Sequence, residues 1–164
     1  MGTWAAGKMN IRGSFENMNK FIQENFIDSY TIKTDDDIKV ETKYNYELNH
    51  DCGIAEILIK ERIDCKNKAF DISNIGDAFF LGNFYNINIF YNKTIDICYM
   101  SINLSHRYDI DTNAFVELSK KYNLDFNTVV MIWDEPFTHK LRIEKGLIIN
   151  DEVIEDDDSI YFEL

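Results

Sequence analysis

The segment from Ala114 to Glu135 constrains the fold most. Its first part sets Phe115, Leu118 and Tyr122 on one face of an amphipathic helix. Asn123 stops that helix, because asparagine tolerates the left-handed conformation that closes a helix C-terminus. Leu124 to Trp133 then carries strand-forming β-branched and aromatic residues. A helix turned tightly onto an apolar strand is half of an α+β unit, and most of the chain reads as strands around it.

The rest follows in order. Lys8 to Arg12 alternates, with Met9 and Ile11 on one side, and reads as a short strand ended by Gly13. Ser14 is placed to cap a helix, whose stripe is Phe15, Met18, Phe21 and Ile22, running to about Asn25. Residues 27–37 are polar and end in Asp35, Asp36 and Asp37, which reads as a loop. Ile38 to Leu48 alternates strictly and predicts one half-buried strand. In Ile54 to Asp64, Ile57, Ile59 and Ile63 suit a strand, whereas Ile54, Ile57, Leu58 and Glu61 also fit a helix. The need of 38–48 for a partner favours a hairpin across His50–Gly53. Residues 65–83 read as a long loop. Phe84–Tyr91 and Thr94–Leu104 form a hairpin around Asn92-Lys93; the second strand is apolar on both faces and therefore central. Asp111 and Thr112 cap the helix over 112–122. Phe137–Ile143 and Leu147–Asn150 flank a turn containing Gly146. The segment from Asn150 is acidic, carries no Lys or Arg, and closes with Ile160–Leu164, apolar enough for an edge strand. The expectation is a single α+β domain over 1–164, with an antiparallel-rich sheet of five or more strands and two main helices. An insertion over 27–83 and an acidic C-terminal segment over 150–164 complete it.

Charge narrows the partners. With 17 Lys and Arg against 29 Asp and Glu, the chain carries a formal charge of −12. That field repels phosphate backbones, so direct nucleic-acid binding is not expected. It suits solubility, cations or a basic protein. Cys52, Cys65 and Cys98 include no C-x-x-C pair and follow no secretory signal, which implies reduced thiols and a cytoplasmic location. Apolar runs are too short to span a bilayer, so no membrane partner is expected.

Chemical motifs are weak. Gly2 to Lys8 spells G-x-x-x-x-G-K, but Met9 replaces the Ser or Thr of a phosphate loop and no strand precedes it. Asp109, Asp111 and Asn113 have calcium-loop spacing, yet Ala114 and Lys120 stand where glycine and glutamate are needed; capping of the following helix explains these acids better. His50, Cys52 and Cys65 would need His106, His139 or Cys98 as fourth zinc ligand, with no regular second pair, and read as ordinary thiols and a turn histidine. Asp134-Glu135 beside Trp133 is one of many carboxylate pairs in so acidic a chain. No catalytic residue, metal or cofactor is expected.

Two stretches carry a resemblance. Trp4 to Phe21 has Ile11 and Gly13 ending a strand and Lys20-Phe21 on the helix. Leu118 to Gly146 has Tyr122, a strand through Phe126 and Trp133, Glu135, and a Lys-Gly hairpin. Together they resemble the Api92-like ferredoxin-fold family of phages and mobile elements over about half the chain. His106-Arg107-Tyr108 stands where that family carries Trp-x-Pro-Pro. The resemblance implies a ferredoxin-like fold with an inserted β-hairpin and a mobile-element origin. It brings no catalytic residues with it.

The functional expectation is a non-catalytic acidic binding protein that inhibits a nucleic-acid-binding host defence protein, of anti-CRISPR or anti-restriction type. Asp35, Asp36, Asp37, Asp156, Asp157 and Asp158 are its candidate partner-binding residues, in place of phosphate charges. The alternatives are a small metal-dependent hydrolase that uses clustered carboxylates, and an immunity protein that neutralises a basic toxin.

Overall fold

The computed structural model of the chain describes residues 4–33, 38–43, 46–51, 54–59, 70–72, 78–80, 88–107, 109–132 and 135–155. Its elements are β1 (Trp4–Gly13), α1 (Phe15–Asn25), β2 (Phe26–Lys33), β3 (Ile38–Lys43), β4 (Tyr46–Asp51), β5 (Ile54–Ile59), β6 (Phe70–Ile72), β7 (Ala78–Phe80), β8 (Asn88–Asn92), β9 (Ile97–Arg107), α2 (Thr112–Tyr122), β10 (Asp125–Ile132), β11 (Phe137–Glu144) and β12 (Leu147–Glu155). The fold is α+β. Its main sheet has six strands in the order β12-β11-β10-β1-β9-β8, and every neighbouring pair is antiparallel. β9 is central, as its apolar run requires. Its first half pairs with β8, and Ser105 and His106 pair with β7, from which β6, β2 and β3 continue. β5 pairs with β8 and β4.

Both helices begin on side-chain caps written in the sequence, and the end of α2 is written there too. Ser14 Oγ accepts from the Asn17 N–H at 3.2 Å, a side-chain cap on α1. Met18, Phe21, Ile22 and Asn25 form its buried stripe. Asp111 caps α2 by accepting from the Ala114 N–H at 3.2 Å. Asn123 closes α2 in the left-handed conformation, φ 52° and ψ 48°, with its N–H on the Ser119 carbonyl.

Both helices pack on one face of the sheet. Met9 and Ile11 of β1, Met100 and Ile102 of β9, Phe126 and Val130 of β10, and Leu141 and Ile143 of β11 are buried there. The Phe126 ring meets Phe21 of α1 at 5.9 Å and Phe115 of α2 at 5.8 Å, both edge-on. The opposite face carries Lys8, Arg12, Asn103, Asn127, Lys140 and Arg142, all exposed. On it Arg12 donates from Nε and Nη2 to Asp125 at 3.0 and 2.8 Å. Exposed pairs of this kind contribute little to stability.

The structure differs from the sequence reading in several places. Residues 27–33 form a strand, not a loop, because pairing with β3 satisfies their backbone whatever their side-chain polarity. The single strand expected over 38–48 is two strands with different partners: β3 pairs with β2, and β4 with β5. Short β6 and β7 lie in the expected long loop; three residues are too few for a readable period. The β8–β9 turn covers 93–96, so β9 starts at Ile97 rather than Thr94. Among the described residues no helix is long and apolar enough to cross a membrane.

Two substitutions test the packing. A Cβ on Gly7 would collide with the Val129 carbonyl of the neighbouring strand. That backbone cannot yield without breaking the β1–β10 ladder, so Gly7→Ala should cost about 1–3 kcal/mol or more in denaturant unfolding. The buried Thr128 hydroxyl has no hydrogen-bond partner among the described residues. Thr128→Val removes an unsatisfied polar atom at nearly constant volume and should be neutral or stabilising, by up to about 2 kcal/mol in the same measurement.

Candidate functional site

The β11–β12 hairpin turns on two residues with positive φ, Lys145 (48°) and Gly146 (79°), the pattern of a type I′ turn. The turn is pinned to the body of the fold. The Gly146 N–H donates to Ser119 Oγ at 2.7 Å, and Ser119 Oγ donates to the Leu124 carbonyl at 2.6 Å. The Lys145 N–H donates to Asp125 Oδ1 at 3.2 Å. A side chain at Gly146 would also strike Lys120.

From this turn β12 runs along the outside of the sheet. Its register shifts between Arg142 and Ile143, leaving Ile149 as the extra residue of a bulge. Leu147, Ile148, Ile149 and Val153 are 69%, 51%, 52% and 55% exposed. A strand buried on one face would alternate; this one is open on both. Asp151, Glu152 and Glu155 share it, without a cation.

Beneath β12 sits a histidine between two carboxylates. His139 of β11 is 4% exposed. Its Nδ1 lies 2.8 and 3.0 Å from the two oxygens of Asp109, and its Nε2 lies 2.6 Å from Asp151 Oδ1. Ionised carboxylates only accept, and a neutral imidazole has one N–H, so satisfying both contacts requires the imidazolium. Burial alone would lower the His139 pKa. The hydrogen bonds from Asp109 and Asp151 act the other way, and together the carboxylates carry it above the ordinary value of 6.5. Asp151 also accepts from Thr112 Oγ1 at 3.2 Å. The group therefore ties the loop before α2, the first turn of α2, β11 and the edge strand to one another. Both ring nitrogens are engaged, so His139 presents neither a base to a substrate nor a ligand to a metal.

The sequence-based candidates are distributed as follows. Asp35, Asp36, Asp37, Asp156, Asp157 and Asp158 lie outside the described residues; the last three follow β12 directly in the chain. Cys52, Cys65, Trp133, Asp134 and the segment Ile160–Leu164 also lie outside them. Gly7 and Lys8 sit inside β1, where no phosphate loop can form. Of the calcium-like spacing, Asp111 is a helix cap and Asp109 holds His139. Cys98 is a buried free thiol whose pKa is pushed up to about 11 by burial and the nearby Asp96 charge, which makes it a poor nucleophile. Among the described residues no group of three or more His, Cys, Asp or Glu is arranged to hold a metal ion. The cluster that sequence reasoning missed is Asp109–His139–Asp151. Its members lie far apart in the chain and share no local motif, so only the strand order unites them.

Comparison with protein-family models, curated proteins and solved structures returns no match for this chain.

The histidine gives a pH dependence of definite sign. Its folded-state pKa is raised, so its contribution to stability is complete below about 6.5, the unfolded value, and is lost as pH rises through the folded value. His139→Gln should therefore lower stability at pH 6 by about 1–3 kcal/mol and flatten the alkaline fall expected of the parent protein. Urea titrations of both proteins across pH 5–9 measure this, and an unchanged alkaline slope in the variant would rule out the assignment.

Proposed function

We propose that this chain is a non-catalytic acidic binding protein whose partner is a basic protein, with β12 and the acids that follow it as the binding element. The observation that carries this reading is the edge strand itself. It exposes four large apolar side chains beside Asp151, Glu152 and Glu155, and runs directly into Asp156, Asp157 and Asp158. Scattered exposed apolar residues need no explanation, but four on one pinned nine-residue strand, three of them consecutive, single this edge out as the interaction surface. Dense carboxylates around it favour a cationic partner and repel nucleic acid. A nucleic-acid-binding protein, whose cleft already accommodates a polyanion, has the matching chemistry. Inhibition of such a host defence protein, of anti-CRISPR or anti-restriction type, is the role we assign. It accords with the mobile-element origin suggested by the resemblance of Trp4–Phe21 and Leu118–Gly146.

We also place the fold with the ferredoxin-like group. The succession β1-α1-β8-β9-α2-β10, with sheet order β10-β1-β9-β8, supports this. Strands β2 to β7 then constitute an insertion between α1 and β8, with β2–β3 as its hairpin.

Salt provides the test. Against a purified partner captured from host lysate, association should weaken steeply between about 0.05 and 0.5 M salt, as the screening length falls from roughly 14 to 4 Å. Joint reversal of Asp156, Asp157 and Asp158 to Lys should slow association more than it speeds dissociation, the signature of steering charges. Reversal of Asp35, Asp36 and Asp37 probes the second acidic run in the same way. Binding indifferent to salt and to both reversals would exclude a charge-driven function.

A further inference from the structure

We propose that β12 captures its partner by strand addition, and that the segment it takes is an extended stretch in which two apolar residues stand between two basic ones. This rests on the basic-partner reading above and specifies its mode.

The edge has the geometry for it. β12 spans nine residues, about 30 Å of strand, and is outermost in the sheet order among the described residues. An outermost strand presents one row of backbone N–H and C=O groups that its own sheet does not use. Edges are commonly protected by Lys or Pro. β12 has neither, and its single bulge lies at Ile149, near its start. The strand is also held in place before any partner arrives: the turn is anchored through Ser119 and Asp125, and the middle through His139 and Asp151. Little ordering is left to oppose binding, which is the advantage of a preorganised surface.

The side chains specify what is added. On the helix side of the sheet, Val153 and Glu155 lie across from His139 and Phe137; on the open side, Glu152 and Ile154 lie across from Lys140 and Thr138. An incoming strand thus meets an apolar and an acidic neighbour on each face. Basic residues beside Glu152 and Glu155, and apolar ones beside Val153 and Ile154, complete both rows. Asp151 is already satisfied by His139 and Thr112. A second copy of β12 would supply acids, apolar residues and one asparagine but no cation, on a chain whose formal charge is −12, so charge selects a basic strand over self-pairing.

The test uses the full chain and a synthetic peptide carrying one Lys-Val-Val-Lys stretch between serine and glycine flanks, which fixes the register and therefore the edge that pairs. Two versions carry N-methyl groups on alternate residues, one on each edge of the extended peptide. Because a strand pairs through one edge only, one methylated version should bind about tenfold or more weakly than the parent and the other nearly normally. The parent should slow amide hydrogen exchange across Leu147–Glu155. If both methylated peptides bind like the parent, and β12 amides are not slowed, attraction is by charge alone; strand addition is then wrong while the acidic binding function stands. If neither this peptide nor a Lys-only peptide binds at low salt, both proposals fall. Concentration-dependent self-association that protects β12 without peptide would assign the edge to a second copy and overturn the basic occupant.

Discussion

The Phe126 ring is the contact on which the arrangement depends. It projects from β10 and meets Phe21 of α1 on one side and Phe115 of α2 on the other. Phe21 in turn lies 5.5 Å from Tyr122 near the end of α2, and the Tyr122 hydroxyl donates to Glu24 at 2.6 Å. One strand side chain thus fixes the separation of both helices and the face on which they sit. Such rings bury large apolar areas and gain further from edge-on geometry, so the cluster contributes far more than any surface pair in the molecule. Once both helices lie on that face, the other must be polar. Lys8, Arg12, Asn127, Lys140 and Arg142 are what the alternation of β1, β10 and β11 puts there.

Widths decide what is left over. A helix with its side chains is about 10 Å across, so two side by side cover about 20 Å. Strands lie about 4.8 Å apart, so that width matches roughly four of them. Six strands exceed the cover, and the excess falls at the β12 side. β12 is exposed on both faces, whereas Ile89 and Tyr91 of β8 still pack against the core. The open edge follows from covering a six-stranded sheet with two helices of eleven residues each, and needs no local irregularity to explain it.

Much of this was legible in the residues. Ser14, Asp111 and Asn123 predict the helix ends because capping acts over three or four residues, within reach of a local reading. The period of two across Met9–Ile11 and Phe126–Val130 predicts the buried face for the same reason. Boundaries failed where the cause of the structure was non-local. β2 looks like a polar loop because its partner, not its own side chains, makes it a strand. Ile38–Leu48 alternates without a break, yet β3 and β4 answer to different neighbours. The last strand is expected to end at Asn150, where the acidic segment begins, but β12 continues through Asp151 and Glu152 to Glu155 because β11 offers a ladder that far. The His139 clamp had no local signal: Asp109 lies 30 residues away and Asp151 12, and nothing in either neighbourhood names the other.

The clamp also explains how an acidic strand can close an acidic sheet. Asp109 and Asp151 approach the same buried ring, and without a cation between them two carboxylates so close would repel each other and oppose the docking of β12. An imidazolium converts that repulsion into two charge-assisted hydrogen bonds. It also leaves Asp151 committed inward. Asp151 is thereby engaged, and Glu152 and Glu155, one on each face of the sheet, carry the rest of the strand's charge. One acid of the strand secures the edge to the body of the fold, and the other two remain free to discriminate among incoming strands. Attachment and recognition thus use acids of one short strand: Asp151 turns to the buried ring, Glu152 takes the opposite side of the pleat, and Glu155 stands further along on the same side as Asp151.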